Sequence, residues 1–289
     1  MANYNPKIDL VFRKLFGSEE NKDLLLSLIN GIIYSRPHLT DLTIKNPYNL
    51  ADYIGSKTSI LDVKAVDQDG VWYDIEMQIG ELGFYGKRAM YYLSKMYVDQ
   101  LEEGDGFDAL RKTIGIHLID FDYFHDSRYR RHFVFKDMET NDYIEHLSYQ
   151  QLYFVEMRKF RKDWSELATS LDRWIAFLNK AQTLSQGAIP ASLLEEPQIV
   201  RAVQKLETMG FDRQERTIYE GELKARLTDQ EELRTARQKG REQGLEEGRE
   251  EGREEGREEG IQQGLHEALR RLIASGISEF ESKRILGIE

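Results

Sequence analysis

Two carboxylates in the stretch 60–79, Asp62 and Glu76, are candidate metal ligands. The letters ILDVKAVDQDGVWYDIEMQI alternate between polar and apolar residues around a tight turn, which predicts a β-hairpin. Side chains alternate along a strand, so Glu76 shares one face of the second strand with Asp74 and Gln78. The apolar residues between them occupy the other face. The polar face of the second strand is therefore the candidate functional surface.

The turn decides whether the two carboxylates meet. Gln68-Asp69-Gly70 favours a three-residue loop with its glycine in the left-handed region. That loop places Asp62 opposite Glu76 and Lys64 opposite Asp74, with Cβ atoms about 4.5–5.5 Å apart. Two carboxylates this close repel each other unless a cation neutralises them, and a divalent cation prefers hard oxygen ligands. A two-residue turn would instead move Asp62 to the other face.

Helices and strands alternate around this hairpin. Helical periodicity predicts helices over 7–17, 20–33 and 84–103, and apolar runs predict strands over 42–44 and 113–121. This order supports a mixed α/β fold. Further strands are predicted over 131–136 and 152–157, and further helices over 164–182, 197–209 and 213–238.

Glycine recurs at every fourth position from Gly240 to Gly264, often with Arg-Glu-Glu between. We predict a domain over 1–238, a spacer helix over 239–264 and a small helical hairpin over 265–289. Each interior glycine costs about 1 kcal/mol relative to alanine, so this helix is marginal alone. Either it is a solvated spacer, or its glycine stripe lets two helices approach closely. We expect a homo-oligomer formed through this tail.

The composition limits the possible functions. The 289 residues include no cysteine, which excludes disulfides and thiolate metal sites and favours a reducing compartment. The N-terminus has no apolar signal core, and no apolar run approaches transmembrane length. We therefore expect a cytoplasmic protein without a membrane partner. The net charge of −11 argues against a generic DNA-coating protein but is compatible with a nuclease. No zinc-type histidine spacing, P-loop, GxGxxG or GxSxG motif is present.

Three segments together carry a family resemblance. An Asp, a hairpin and then Glu-x-Gln resemble the PD-(D/E)xK nuclease signature with its Lys replaced by Gln78. The upstream segment DLVFRKLFG at 9–17 and the downstream segment RAMYYL at 88–93 narrow the match. Over roughly residues 5–235, the chain resembles the Rpn family of recombination-promoting nucleases, also described as transposases. The resemblance implies a restriction-endonuclease-like αβββαβ core with added strands and helices, followed by the helical Gly/Glu/Arg repeat tail.

The resemblance also implies a metal site. Asp62, Glu76 and the main-chain carbonyl of Met77 would hold Mg²⁺ or Mn²⁺ beside the scissile phosphate. Asp74 could be an outer ligand or could pair with Lys64.

The motif lysine is absent, which leaves two possibilities. Gln78 can orient a water but adds no positive charge, so Arg88 could supply the missing cation, or the enzyme could be slow.

The first helix carries two further candidates. Asp9 could add a ligand or could simply favour the helix N-terminus. Lys14 matches the family motif and is a candidate DNA contact, as are Arg88, Arg130 and Arg131. The basic runs at 128–131 and 158–162 could equally be solvated surface.

We therefore expect a metal-dependent endonuclease that hydrolyses phosphodiester bonds in double-stranded DNA, with a role in recombination or mobile-element movement. One alternative is a catalytically weak or inactive nuclease fold that acts as a binding, regulatory or assembly module. Metal binding that depends on both Asp62 and Glu76 separates the two. Another alternative is a nuclease for structured RNA, which would use the same site and which the sequence does not separate from a DNA nuclease.

Overall fold

Six strands form one mixed sheet in the computed structural model, which describes residues 4–34, 38–46, 63–80 and 83–288. The sheet order is β1-β2-β3-β4-β6-β5, with β3, β4 and β6 parallel and the other pairs antiparallel. The strands are β1 Leu42–Ile44, β2 Val63–Asp67, β3 Trp72–Gln78, β4 Thr113–Ile119, β5 Arg130–Phe133 and β6 Gln150–Glu156. The mixed α/β class is thus confirmed.

The β2–β3 hairpin has the predicted three-residue turn. Gly70 has φ +79°, in the left-handed region that favours glycine, and Gly70 N donates to Asp67 O at 3.1 Å. The Asp67 carboxylate fixes the turn by accepting from Asp69 N and Val71 N, both at 2.9 Å. Lys64 pairs with Asp74, as predicted. Asp62 lies outside the described residues, so its position opposite Glu76 stays a prediction.

The two faces of β3 serve different purposes. Tyr73, Ile75 and Met77 are buried in the main core. Apolar residues of the helices that precede β1 and follow β6 in the chain pack in the same core. On the other face, Tyr85 and Leu93 of the helix Tyr85–Val98 pack in a smaller apolar cluster with side chains of β4 and β6. The carboxylates of β3 therefore lie beneath this helix.

Eight helices of at least four residues lie within the described part of the chain. They are α1 Asp9–Phe16, α2 Lys22–Ile32, α3 Tyr85–Val98, α4 Ser170–Lys180, α5 Ala191–Leu194, α6 Pro197–Thr208, α7 Arg213–Ala274 and α8 Glu279–Leu286. None has both the length and the apolar character that a bilayer crossing requires.

Local hydrogen bonds explain where the helix predictions failed. The predicted start at 164 is wrong because Thr169 caps α4, its side chain accepting from Asp172 N. The predicted end of α3 at 103 is also wrong. Asp99 N makes the last helical bond to Lys95 O at 2.8 Å, and Leu101 N then turns to Val98 O.

The chain divides into two units, Met1–Arg226 and Leu227–Glu289. Helix α7 does not end at 238 as predicted but continues to Ala274. In the second unit, a Cβ atom added at any glycine of the repeat would meet nothing within 4 Å. Ser278 caps α8 by accepting from Glu281 N. The predicted three-part division of the chain stays a prediction.

Candidate active site

Arg88 of α3 connects two polar side chains of β3. Its Nη2 donates to Gln78 Oε1 at 2.7 Å and lies 3.5 Å from Glu76 Oε2. The amide of Gln78 is fixed at its other end, where Nε2 donates to Gly80 O at 3.2 Å. Three predicted site residues, Glu76, Gln78 and Arg88, thus come together. Gln78 occupies the position of the motif lysine, and the cation of Arg88, from α3, lies next to it.

Glu76 is a buried carboxylate, with 4% of its surface exposed. Burial raises its pKa, and Arg88 and Arg13 partly oppose this by favouring the charged form. Asp9 raises the pKa further, so the N-terminal turn of α1 lies close enough to act on Glu76. Arg13 Nε donates to Asp9 Oδ1 at 2.7 Å. Asp9 is therefore near the site, but its predicted role as a ligand stays a prediction.

Asp74 is more deeply buried, with 1% of its surface exposed. Burial first, and then the neighbouring Glu76, raise the pKa of Asp74 well above its ordinary range. Lys64 and Arg88 oppose this shift. Lys64 thus faces Asp74 across the hairpin, as its register predicts, and acts on it electrostatically.

His117 is a buried site residue that sequence reasoning missed. It pairs with Glu76 across β3 and β4, and its Nδ1 is hydrogen-bonded to the Tyr85 hydroxyl at 3.0 Å. Burial, followed by Arg88, lowers the pKa of His117 to about 3, so the imidazole is neutral. The run TIGIHLIDF shows only an apolar strand, with no spacing that marks one histidine.

Gly115 leaves the room that this arrangement needs. It pairs with Asp74 on the neighbouring strand. A Cβ atom there would lie 2.8 Å from Leu152 Cδ2 and 3.1 Å from His117 Nε2. A larger residue would therefore push into the site.

At the site, three buried polar atoms have no hydrogen-bond partner among the described residues: Asp74 Oδ1, Glu76 Oε1 and His117 Nε2. Buried polar groups normally have partners, so such atoms suit a water or an ion. Carboxylate oxygens are the ligands that Mg²⁺ and Mn²⁺ prefer, and the donors present therefore fit such an ion. The described residues form no complete group of three acidic or histidine ligands. The predicted partner, Asp62, lies outside them.

The remaining predicted residues have structural contacts. Met77 is in β3, paired with Leu118, and its carbonyl role stays a prediction. Lys14 Nζ lies 2.7 Å from Glu215 Oε1 and donates to Gly210 O at 3.1 Å.

The two predicted DNA contacts of β5 also have partners. The Arg130 guanidinium stacks 4.1 Å from the Tyr34 ring, and Arg131 pairs with Asp126. Their contacts with DNA stay predictions.

Comparison with known families gives one match. The profile described as PD-(D/E)XK nuclease family transposase matches residues 6–236. Comparison with curated proteins and with solved structures gave no significant match. The profile covers the whole sheet, α1 to α6, and the first part of α7. On this match the chain belongs to the PD-(D/E)XK nuclease family of transposases.

Proposed function

We propose that the protein is a divalent-metal-dependent endonuclease that hydrolyses phosphodiester bonds in double-stranded DNA, with a role in recombination or mobile-element movement. The observation that carries the proposal is the placement of Arg88. A cation reaches the Glu-x-Gln strand at 2.7 Å from Gln78 Oε1 and 3.5 Å from Glu76 Oε2. The family membership supports a nuclease, and this contact supports a working one despite the substituted lysine.

Asp62, Glu76 and the Met77 carbonyl would hold Mg²⁺ or Mn²⁺, with Asp74 or Asp9 as further ligands. When bound, the ion supplies positive charge beside the scissile phosphate and acidifies a water. Asp74 and Glu76 can each offer an oxygen to the ion, because each has a buried oxygen without a partner in the described structure. Burial raises the pKa of both carboxyls, and the neighbouring Glu76 raises that of Asp74 further, which supports a role for a bound cation.

Arg88 would stabilise the charge that develops on the phosphate. Its guanidinium uses one N–H for Gln78, and its planar fork can present others to phosphate oxygens. Gln78 in turn would act on the substrate through Arg88, because its own amide is fixed by Arg88 and Gly80. In this chain the substituted Gln thus orients a cation.

Nicking of supercoiled plasmid DNA tests the proposal. The wild type is compared with Glu76→Gln and Asp62→Asn in Mg²⁺, Mn²⁺ and EDTA. Loss of an electrostatic group from an active site typically costs about 100- to 1,000-fold in rate, and we expect at least the lower figure for each variant. Asp122→Asn, at an exposed carboxylate of the same unit, is the matched control. Equal nicking by all proteins would assign the activity to a contaminant.

A second function is favoured by the same contact. Arg88 partly neutralises Glu76 without a metal, as it would in a nuclease fold retained as a binding or regulatory module. Calorimetric titration with Mn²⁺ separates the two functions. Metal binding lost in both Glu76→Gln and Asp62→Asn supports the nuclease, and a wild type that binds no metal and cleaves no DNA supports the regulatory module.

A further inference from the structure

Three cationic side chains converge on one carboxylate at the carboxyl end of β4. Asp120 Oδ2 lies 3.0 Å from Lys7 Nζ and 3.0 Å from an Arg226 guanidinium nitrogen. Arg158 Nε lies 3.9 Å from Asp120 Oδ1. Three positive charges thus face one negative charge. We call these four residues the Asp120 cluster.

Within the cluster itself, the positive charge exceeds the negative charge. Asp120 is the carboxylate whose charge raises the pKa of both Lys7 and Arg226. Burial lowers the pKa of Lys7, and the two arginines lower it further against the opposing effect of Asp120. Cations that are removed from water and repel each other are unfavourable unless an anion joins them. A purely structural ion pair would need only one cation for Asp120.

The cluster lies next to the candidate active site. Asp120 N donates to Gln78 O at 2.8 Å, so the ends of β3 and β4 are side by side. Lys7 comes two residues before Asp9, which acts on Glu76. Adjacent strands lie about 4.8 Å apart, and one DNA strand carries a phosphate every 3.4 Å or so of helix axis. One DNA strand crossing this edge can therefore reach both places.

Arg158 is the group in the cluster that can reach outward. Its side chain is 41% exposed, and its contact with Asp120 is too long for a hydrogen bond. Lys7 is held by a second acceptor, Asn179 Oδ1 at 3.2 Å, and Arg226 is half-buried at the end of the first unit. Lys7 and Arg226 thus provide fixed positive charge, and Arg158 provides a guanidinium fork.

We propose that Lys7, Arg158 and Arg226 bind a DNA backbone phosphate adjacent to the scissile one. Asp120 positions two of these cations and keeps the cluster folded when no DNA is bound. The proposal rests on the proposed nuclease function. It assigns substrate positioning to residues far apart in the sequence that the nuclease signature does not include.

The test measures binding of a fluorescently labelled DNA duplex by anisotropy, without divalent metal and over a range of salt concentrations. All proteins carry Glu76→Gln, so that no cleavage occurs. Adding Arg158→Gln is expected to weaken binding roughly five- to tenfold and to reduce the slope of log affinity against log salt by about 1. Arg216→Gln, at an exposed arginine of α7 within the same unit, is the matched control and is expected to change neither.

Asp120→Asn gives the reciprocal test. Removing the negative charge raises the net positive charge, so DNA affinity is expected to rise severalfold. A purely structural cluster predicts no gain. Since Asp120 is buried, its variant is first checked by thermal melting, and Arg158→Gln alone decides the outcome if Asp120→Asn does not fold.

The proposal is overturned if Arg158→Gln binds like its parent with an unchanged salt slope. Plasmid nicking by the protein with native Glu76 is measured separately. Nicking that persists while Arg158→Gln binds normally refutes the phosphate site but keeps the nuclease. Weakened binding without any nicking refutes the nuclease, and with it the place beside a scissile phosphate, but keeps the cluster as a DNA phosphate site.

Discussion

Charged side chains are concentrated in two regions of this chain, and burial separates the two. In the unit that contains the sheet, Asp74, Glu76, Lys7 and Asp120 are all buried. In the repeat, every Glu and Arg between the first and last glycine is exposed. The same residue types therefore experience a low dielectric in one region and water in the other.

The difference shows where charge carries information about function. An exposed ion pair contributes about 0–1 kcal/mol, so a run of Arg-Glu-Glu is compatible with many roles. A buried charge without a full set of partners costs several kcal/mol, and it is retained where something else uses it. On β3, Asp74 and Glu76 each have a buried oxygen without a partner among the described residues, and at the end of β4 three cations face the single carboxylate of Asp120. Both are arrangements that a metal ion and a phosphate chain would complete.

Arg88→Gln is expected to give the largest effect among variants that probe this contrast. It removes the cation that bridges Gln78 and Glu76, and plasmid nicking should fall by about 100-fold. Arg88→Lys keeps the charge but loses the planar fork, so it should restore part of the rate. Melting curves of both variants establish that they fold. Unchanged nicking by Arg88→Gln would mean that the motif cation comes from elsewhere.

Asp74→Asn tests how a buried carboxylate affects the free energy of unfolding. The raised pKa of Asp74 means that the folded state holds a proton which the unfolded state loses above about pH 3.9. The free energy of unfolding therefore falls as pH rises from that value through the raised pKa. Asparagine has no such loss, so the variant should melt at a higher temperature than wild type at pH 7 and at the same temperature near pH 4. Each kcal/mol corresponds to about 2–4 °C for a unit of this size.

The measurement is thermal melting without metal at several pH values. Asp122→Asn is the control, because that carboxylate is exposed and should leave the melting temperature unchanged. A melting temperature of Asp74→Asn below that of wild type at pH 7 would show that the ionised carboxylate stabilises the fold.

Local chemistry explains which features could be predicted. The hairpin register followed from one turn, because Gln68-Asp69-Gly70 leaves few ways to pair β2 with β3. The apolar face of β3 followed from alternation, and Arg88 followed from the family motif. These patterns depend on a few neighbouring residues or on a known family motif, so contacts between distant segments do not change what they predict.

The features that escaped prediction depend on contacts between distant segments. His117 is distinguished from any other histidine in an apolar strand only by Tyr85 and by its pairing with Glu76. The Asp120 cluster joins residues near both ends of the domain, and no spacing predicts that. Helix α7 continues through eight glycines, seven of them in the repeat, because exposed glycines weaken a helix without breaking it.

Substitution of the repeat glycines is expected to leave the candidate active site unchanged. A Cβ atom at Gly252 or Gly256 meets nothing within 4 Å, so alanine fits at both positions. Each replacement should stabilise the helix by about 1 kcal/mol, seen as greater helical circular dichroism on heating. The melting temperature of the unit Met1–Arg226 and the rate of plasmid nicking should not change, because both substitutions lie in the second unit and leave every residue of the first unit in place.

The double variant Gly252→Ala/Gly256→Ala decides between the two interpretations of the glycine stripe. Sedimentation velocity is compared with that of Glu250→Gln, an exposed change in the same repeat that leaves every glycine in place. If the repeat is a solvated spacer, both variants sediment like wild type. Loss of association in the alanine variant alone would show that the glycines pack against a second helix, because added methyl groups obstruct a close approach that a lost charge does not. The repeat would then be a contact surface, and its exposed charges would be the rim of an interface.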